Sequence, residues 1–362
     1  MDRPHVLIFH RPAAAHDTPL VRVLADTRHE LASRQAALLE RAGARPAQFV
    51  TEWHAGHTFG QVLAALAPAR GGLIVFGSGA AARLTANDAR ALVEAAGAEA
   101  RQALTNNRYS SDICAISQSV TLRRLPPLPS DNALPRWLEE RAGYRVEEMR
   151  GRDRLALDLD TPLDIGIAAL APGAAAWLRR AAADAELSVP RIEGLRRIAA
   201  DARAELLVFG RAGSRTLRWL ERNVRCRVRF LAEERGLRAA SPLAIAAPDR
   251  ARRLRPCQPR ATLGMLLDEA GPSTLADVIG KLADAAVVDS RVLLAHRLGA
   301  DEARWPMPAD RFASDLLRPD DVADRWLREL TVAAAESQVP ILLGSHTLVG
   351  PGLPIILAGL RR

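Results

Sequence analysis

Two aspartates separated by one residue have the types and spacing that could hold a divalent metal ion. Asp158 and Asp160 lie in the stretch 155–165, whose first half alternates apolar and acidic residues. A period of two places both carboxylates on one face of a β-strand, near its carboxyl end. Because buried carboxylates are costly unless a cation or hydrogen-bond donors compensate them, the pair indicates a divalent metal site that also binds a phosphate-bearing ligand.

The residues that follow this pair carry the signals of a helix start. Thr161 can cap a helix, Pro162 suits the first helical position, and Asp164 completes a capping box. A structural interpretation of the stretch therefore stands beside the metal site. In it, Asp160 and Asp164 begin the helix while Asp158 faces water.

The heptad at 158–164, Asp-Leu-Asp-Thr-Pro-Leu-Asp, resembles the Asp-x-Asp-Thr-Pro-x-Asp signature of a family of nucleotidyltransferase domains. These domains are related to molybdenum-cofactor guanylyltransferase and 2-phospholactate guanylyltransferase. The segment 72–93 is similar in position to the family's central strand, metal-binding turn and Leu-Thr-x-x-Asp helix start. The resemblance covers roughly residues 1–170.

The resemblance implies a fold and an activity. The fold is α/β, with three layers around a mostly parallel, nucleotidyltransferase-like sheet, and we expect a second α/β region at the C-terminus. The activity is transfer of a nucleoside monophosphate from a triphosphate such as GTP to a small phosphorylated or carboxylated acceptor. Asp158 and Asp160 would be the catalytic residues and the Mg²⁺ ligands.

Alternating strands and helices independently predict a parallel sheet. Apolar runs at 6–9, 47–50 and 73–76 predict strands, and helix starts at Thr18 and Thr58 fall between them. In such sheets the strands run parallel, with right-handed crossovers, and ligands bind at their carboxyl ends.

Two strand ends depart from the family pattern. The family has a glycine-rich phosphate loop after the first strand, but residues 10–16 contain no glycine; Arg11 could bind phosphate through its side chain, and a solvated loop is the alternative. After the third strand the family has a metal-binding aspartate, where this chain has Gly77, Ser78 and Gly79. We predict that these three residues and Arg11 bind the nucleotide, with Ser78 donating to a phosphate or sugar.

A polar run lies between a helix predicted at 87–104 and a strand predicted at 113–116. It is similar in position to the acceptor-substrate loop of the guanylyltransferases, and Arg108 could clamp a phosphate or carboxylate. Asn, Ser and Asp also favour ordinary turns, which is the alternative. The predicted substrate-binding residues are Asn107, Arg108, Ser110, Ser111 and Asp112.

We predict four regions along the chain: a nucleotidyltransferase-like domain at 1–172, helices with a second βαβ unit at 173–239, a Pro/Arg-rich linker or loop at 240–261, and an α/β region of unknown role at 262–362. The second βαβ unit carries Gly213, Ser214 and Arg215 at a helix start. These residues are a predicted secondary anion site, with a plain turn as the alternative.

Composition limits the function classes. The chain has 362 residues, 48% hydrophobic and 4% aromatic, and a net charge of +8 that comes from arginine, because Lys281 is the single lysine. This excludes a phosphate-binding P-loop lysine elsewhere in the chain. Acids are interspersed among the arginines, so nucleic acid is an unlikely partner. The three cysteines lack the C-x-x-C spacing of a zinc site.

The N-terminal apolar run is too short for a signal peptide, and no stretch has the length of a membrane span, so we expect a cytoplasmic protein with no membrane partner. The expected partners are a nucleoside triphosphate and a small anionic metabolite, and an oligomer is possible. Two function classes remain open. One is nucleotidyl transfer, and the other is a catalytically degenerate nucleotide- or metabolite-binding module with a regulatory or subunit role.

Overall fold

The structure, a computed structural model, describes residues 2–52, 56–236 and 259–360. Most of the predicted linker, 240–258, lies outside the described residues. The chain divides into two compact units. Within the described residues, unit 1 comprises 2–14, 25–52 and 56–158, and unit 2 comprises 15–24, 159–236 and 259–360.

Unit 1 is built on a mixed six-stranded sheet in the order β2-β1-β3-β5-β4-β6. The strand β5 runs antiparallel to β3 and β4, and the other pairs are parallel. The strands are β1 (His5–Phe9), β2 (Gln48–Val50), β3 (Leu73–Gly77), β4 (Gln102–Thr105), β5 (Ile113–Ile116) and β6 (Arg145–Glu148).

Apolar side chains cover both faces of this sheet. Val6 and Ile8 of β1 belong to one buried cluster, whereas Leu7 between them belongs to the other. This alternation follows from the period of two along a strand. Helices complete both clusters: α1 (Pro19–Arg41), α2 (Phe59–Leu66), α3 (Ala86–Ala96), α4 (Leu134–Glu140) and α5 (Arg152–Leu155).

Two predicted elements of unit 1 are wrong. The helix predicted at 87–104 ends at Ala96, where Gly97 is the C-cap, and residues 102–104 belong instead to β4. The strand predicted at 155–160 does not form: α5 ends at Leu155, and the chain then runs in an irregular conformation to Asp160. One backbone hydrogen bond of 2.8 Å, from Ala82 N–H to the carbonyl of Leu157, holds this segment.

Unit 2 is built on a parallel four-stranded sheet in the order β10-β9-β7-β8. The predicted second βαβ unit is confirmed, since β7 and β8 pair in parallel with a helix between them. The strand β9 ends at Asp289, so this residue lies at a switch from strand to helix. The strands are β7 (Glu205–Gly210), β8 (Arg227–Ala232), β9 (Ala285–Asp289) and β10 (Ile341–Gly344).

The helices of unit 2 bury a separate apolar core against this sheet, which includes Leu207, Val288 and Leu343. None of the helices in the described part of the chain combines the length and apolarity needed to span a bilayer. The protein is thus α/β in both units. The helices are α6 (Pro162–Leu170), α7 (Ala176–Asp184), α8 (Ile192–Ala200), α9 (Ser214–Asn223), α10 (Thr262–Ala270), α11 (Leu275–Gly280), α12 (Ser290–Leu298), α13 (Pro308–Asp315), α14 (Arg325–Glu336), α15 (His346–Val349) and α16 (Leu353–Ile356).

Candidate functional site

The strand order of unit 1 reverses between β1 and β3. The chain leaves β1 toward β2 on one side and leaves β3 toward the strands on the other side. In open α/β sheets, ligands bind outside the carboxyl ends of the strands at such a switch point. His10 follows β1 and Ser78 follows β3, and both side chains are buried there.

A hydrogen bond joins these two residues. Nδ1 of His10 and Oγ of Ser78 lie 3.0 Å apart, and the Ser78 N–H donates to the carbonyl of Phe9 over 2.9 Å. Burial lowers the pKa of His10, and the neighbouring His29 lowers it further, so the imidazole is neutral near pH 7. Gly77 faces open space, with no atom within 4 Å of where a Cβ would lie.

The turn after Ser78 is held from two directions. Gln35 Nε2 donates to the carbonyls of Ala80 and Ala81 over 2.8 and 3.0 Å. Asp158 Oδ1 accepts from the Ala81 N–H over 2.8 Å, and this carboxylate is only 4% exposed. Ala81 has a φ of +47°, a left-handed conformation that a non-glycine residue adopts only when its surroundings fix it. Of the predicted pair, Asp158 therefore lies beside the turn that follows Ser78.

Asp160 has a different environment. The boundary between the two units falls after Asp158, so Asp160 belongs to unit 2, where its carboxylate is exposed and lies 3.7 Å from Nδ1 of His346. In the described ranges, no group of three His, Cys, Asp or Glu side chains is arranged to hold a metal ion. The catalytic and Mg²⁺-binding roles of Asp158 and Asp160 stay predictions.

The predicted acceptor loop makes its contacts within the protein. Arg108 forms an ion pair with Glu139, and its backbone N–H donates to Glu148 over 3.0 Å. Asn107 accepts from the Tyr109 N–H over 3.0 Å. This is the turn chemistry expected of an asparagine side chain.

The serines and the aspartate of the same loop also have partners. Ser110 donates to Asn132 over 2.7 Å, while Ser111 and Thr105 share a hydrogen bond of 2.8 Å. Asp112 accepts from Asn106 over 2.9 Å, and its carbonyl accepts from the Gly77 N–H over 3.4 Å. The loop therefore reaches the end of β3 through its backbone, and substrate binding by its side chains stays a prediction.

The Leu-Thr-x-x-Asp segment is a helix cap with an added ion pair. Asp88 and Thr85 form a reciprocal capping box at the start of α3. Arg154 places both terminal nitrogens on the Asp88 carboxylate, at 2.7 and 2.9 Å. Sequence reasoning missed Arg154 and Gln35, because no local pattern indicates contacts across 66 and 46 residues.

The sheet of unit 2 has a second switch point, between β7 and β9. Arg211 follows β7 and binds the buried Asp289 carboxylate at the end of β9, with Nε at 2.6 Å and NH2 at 3.1 Å. Burial would raise the pKa of Asp289, but the Arg211 guanidinium holds it below its usual value. Gly213 caps α9 without a side-chain hydrogen bond, and Ser214 and Arg215 begin that helix. The anion-binding role of these three residues stays a prediction.

A buried carboxyl links the start of α6 to the end of β10. Asp164 Oδ2 accepts from the N–H groups of Asp160 and Thr161 over 2.9 and 2.8 Å, so the predicted capping box is confirmed. Ser345 donates to Asp164 Oδ1 over 3.2 Å. Burial raises the pKa of Asp164 to about 7, with a further contribution from Asp160.

Comparison with known proteins does not assign the chain to a family. No family model matches it. No match was found among curated proteins. The function is therefore inferred from the geometry of the two units.

Proposed function

We propose that unit 1 binds a nucleoside triphosphate, or a related phosphorylated metabolite, at the carboxyl ends of β1 and β3 without transferring it. Unit 1 would then be a catalytically degenerate module of the nucleotidyltransferase type, with a regulatory or subunit role. The hydrogen bond between His10 and Ser78 at the switch point carries this proposal, because it joins the two loops that a ligand would contact.

Three neighbouring features suit an anionic ligand. Arg11 is exposed directly after His10, and its planar guanidinium matches a phosphate group. The Ser78 hydroxyl can donate its one hydrogen to a phosphate or sugar oxygen while its own oxygen accepts from the Nδ1–H of a neutral His10. Gly77 leaves open space through which a ligand can approach the backbone.

Binding without transfer is favoured by how Asp158 is used. Its Oδ1 accepts a backbone hydrogen bond and the side chain is buried, which suits a carboxylate that braces a turn. A Mg²⁺ ion prefers carboxylates that face a partly hydrated site. The residues described in unit 1 therefore do not fit a bound Mg²⁺.

Nucleotidyl transfer is the second candidate. It is favoured by one observation: Asp158 of the acidic heptad contacts the turn that follows the central strand. Those are the two segments on which the family resemblance rests. In this candidate, Asp158 and Asp160 would hold Mg²⁺ and the polar loop at 105–112 would hold the acceptor.

Titration calorimetry of the full chain with GTP and ATP, with and without Mg²⁺, tests both candidates. We expect nucleotide binding that does not require the metal. Ser78→Ala should weaken it about fivefold to tenfold, since one hydrogen bond contributes about 1 kcal/mol. Ser33→Ala is the matched control, because the Ser33 hydroxyl donates within its own helix, α1, to the carbonyl of His29.

The competing outcomes differ clearly. Nucleotidyl transfer would be supported instead by nucleotide binding that requires Mg²⁺ and by pyrophosphate release when a phosphorylated acceptor is added. Both should then be lost in Asp158→Asn. If neither nucleotide binds, or if Ser78→Ala binds as tightly as the Ser33→Ala control, the proposed site is wrong. Arg11→Ala gives a second test, because an exposed arginine can be removed with little effect on folding.

A further inference from the structure

Two arginines of unit 2 share one carboxylate beside a buried tryptophan. Arg235 pairs with one oxygen of Glu302, and NH1 of Arg311 lies 3.0 Å from the other oxygen. The two guanidinium carbons lie 5.8 and 5.6 Å from the centre of the Trp305 ring, for Arg235 and Arg311 respectively. These four residues are called the Arg235–Arg311 cluster below.

The two arginines are more buried than the acid that they share. The side chains of Arg235 and Arg311 are 17% and 13% exposed, whereas that of Glu302 is 44% exposed. Nε of each arginine is buried and has no hydrogen-bond partner among the described residues. Buried donors are nearly always paired in folded proteins, so we expect these two N–H groups to have an acceptor.

The charges of the cluster are also unbalanced. The nearby Arg211 has the Asp289 carboxylate, and Arg291 has Asp315. Among the described residues, in contrast, Arg235 and Arg311 share Glu302 as their ion-pair partner, while Asp289 and Asp315 act on them only as nearby charges. Burial lowers the pKa of Arg235, with Arg211 the next cause, and burial lowers the pKa of Arg311, with Arg291 the next cause. Buried charges are normally neutralised by a partner, so a further anion would stabilise the cluster.

We propose that Arg235 and Arg311 bind the phosphate or carboxylate group of a small anionic metabolite, and that Glu302 fills this site when the ligand is absent. Glu302 is exposed enough to rotate into water and leave both guanidinium groups to the ligand. Trp305 would keep them in place through its cation–π contacts. Arg235 follows the carboxyl end of β8, the side of a parallel sheet where ligands bind.

Substitution of Glu302 gives the sharpest test. If Glu302 competes with the ligand, removing its charge strengthens ligand binding. If Glu302 only supports the two arginines, ligand binding stays the same or weakens. The probes are inorganic phosphate and acetate, titrated into the full chain while the melting temperature is followed. Phosphate or acetate should raise the melting temperature of the wild type. Glu302→Gln should bind the effective probe more tightly, because the competing carboxylate is gone. Arg235→Gln and Arg311→Gln should each bind it about tenfold more weakly or worse.

Two control variants assign the effect to this site. Arg325→Gln removes an exposed arginine of the same unit, which pairs on its own helix with Glu329, and should bind like the wild type. The loss of probe binding caused by Arg311→Gln should also be as large in a Ser78→Ala background, because the Arg235–Arg311 cluster does not depend on the nucleotide site proposed for unit 1. Loss of binding in Ser78→Ala with retention in Arg311→Gln would place the anion in unit 1 and overturn this proposal.

Other outcomes would overturn it as well. The proposal is wrong if neither probe stabilises the wild type, or if Arg235→Gln and Arg311→Gln respond as the wild type does. If those two variants do not fold, Glu302→Gln decides alone: binding that is unchanged or weaker means that Glu302 is only a structural partner. Stabilisation by phosphate and not acetate would identify a phosphorylated ligand, and the reverse a carboxylic acid.

Discussion

Asp164 is a buried carboxyl that serves two structural partners. One oxygen caps α6 and the other accepts from Ser345. Burial raises the pKa of Asp164 to about 7, whereas an aspartate in the unfolded chain titrates near its ordinary value. Between about pH 4 and about pH 7, Asp164 therefore keeps its proton in the native state, whereas the unfolded chain has already released it.

This difference predicts how stability depends on pH. A raised native pKa contributes stability that is complete below about pH 4 and is lost as the pH rises to about 7. The free energy of unfolding should fall by at most about 1.4 kcal/mol per pH unit across this window and then level off. Asp164→Asn should remove this slope. Urea unfolding of both proteins from about pH 4 to about pH 8 measures it.

The comparison with Asp164→Asn isolates one carboxyl from the many that titrate in the same range. Equal pH dependence in the two proteins would contradict the prediction. It would mean that the two backbone N–H groups on Oδ2 keep Asp164 ionised in the native state despite its burial.

At single positions, the sequence predicts local hydrogen bonds better than contacts between distant residues. The capping box from Thr161 to Asp164 is local, and it was predicted correctly from a spacing of three residues. The position of Asp158 beside the Ser78 turn followed from a family resemblance. Its contact with the Ala81 N–H could not be foreseen, because 77 residues separate the two groups and no periodic pattern records such a pairing.

Among the elements, the connection from β7 to α9 contains one position, Gly210, that requires glycine. Gly210 has a φ of +122°, and a Cβ there would lie 2.3 Å from Cβ of the buried Asp289. Gly213 in the same loop has no positive φ and open space around it. A side chain larger than hydrogen should therefore be tolerated at Gly213 but not at Gly210.

Gly210→Ala should lower the free energy of unfolding by about 2–4 kcal/mol, because the new methyl group must displace the Asp289–Arg211 pair and the backbone is strained. Gly213→Ala should lower it by no more than about 1 kcal/mol, since alanine is only a poorer helix cap. Urea denaturation of the two variants checks the difference. Similar losses in both would mean that the loop can relax around Asp289.

Elements with a strong local signal were predicted, and elements defined by their neighbours were not. Buried apolar runs such as β3 and β7 were found directly, as was the helix start at Thr58. The edge strand β6 was missed, because Arg145, Glu147 and Glu148 carry no apolar alternation. The alternation at 155–160 predicted a strand that does not form, since a pattern of period two shows a face and not a pairing partner.

At the scale of the whole molecule, each unit has its own hydrophobic core and its own buried thiol. Cys114 lies in β5 of unit 1, and Cys226 lies just before β8 of unit 2. Burial raises the pKa of Cys114 far above its usual value and raises that of Cys226 to about 11. Because the thiolate is the reactive form, both groups should resist alkylation until their unit unfolds.

These thiols should report the two units separately. Gly210→Ala strains unit 2, so it should lower the urea concentration at which Cys226 becomes alkylated and leave that of Cys114 nearly unchanged, as expected for units with separate cores. Alkylation in a urea series, followed by mass spectrometry of the separate cysteine peptides, measures the midpoints of Cys114 and Cys226. Cys257, which lies outside the described residues, is detected in its own peptide and does not enter the comparison. Equal shifts at Cys114 and Cys226 would show instead that the two cores unfold as one cooperative system.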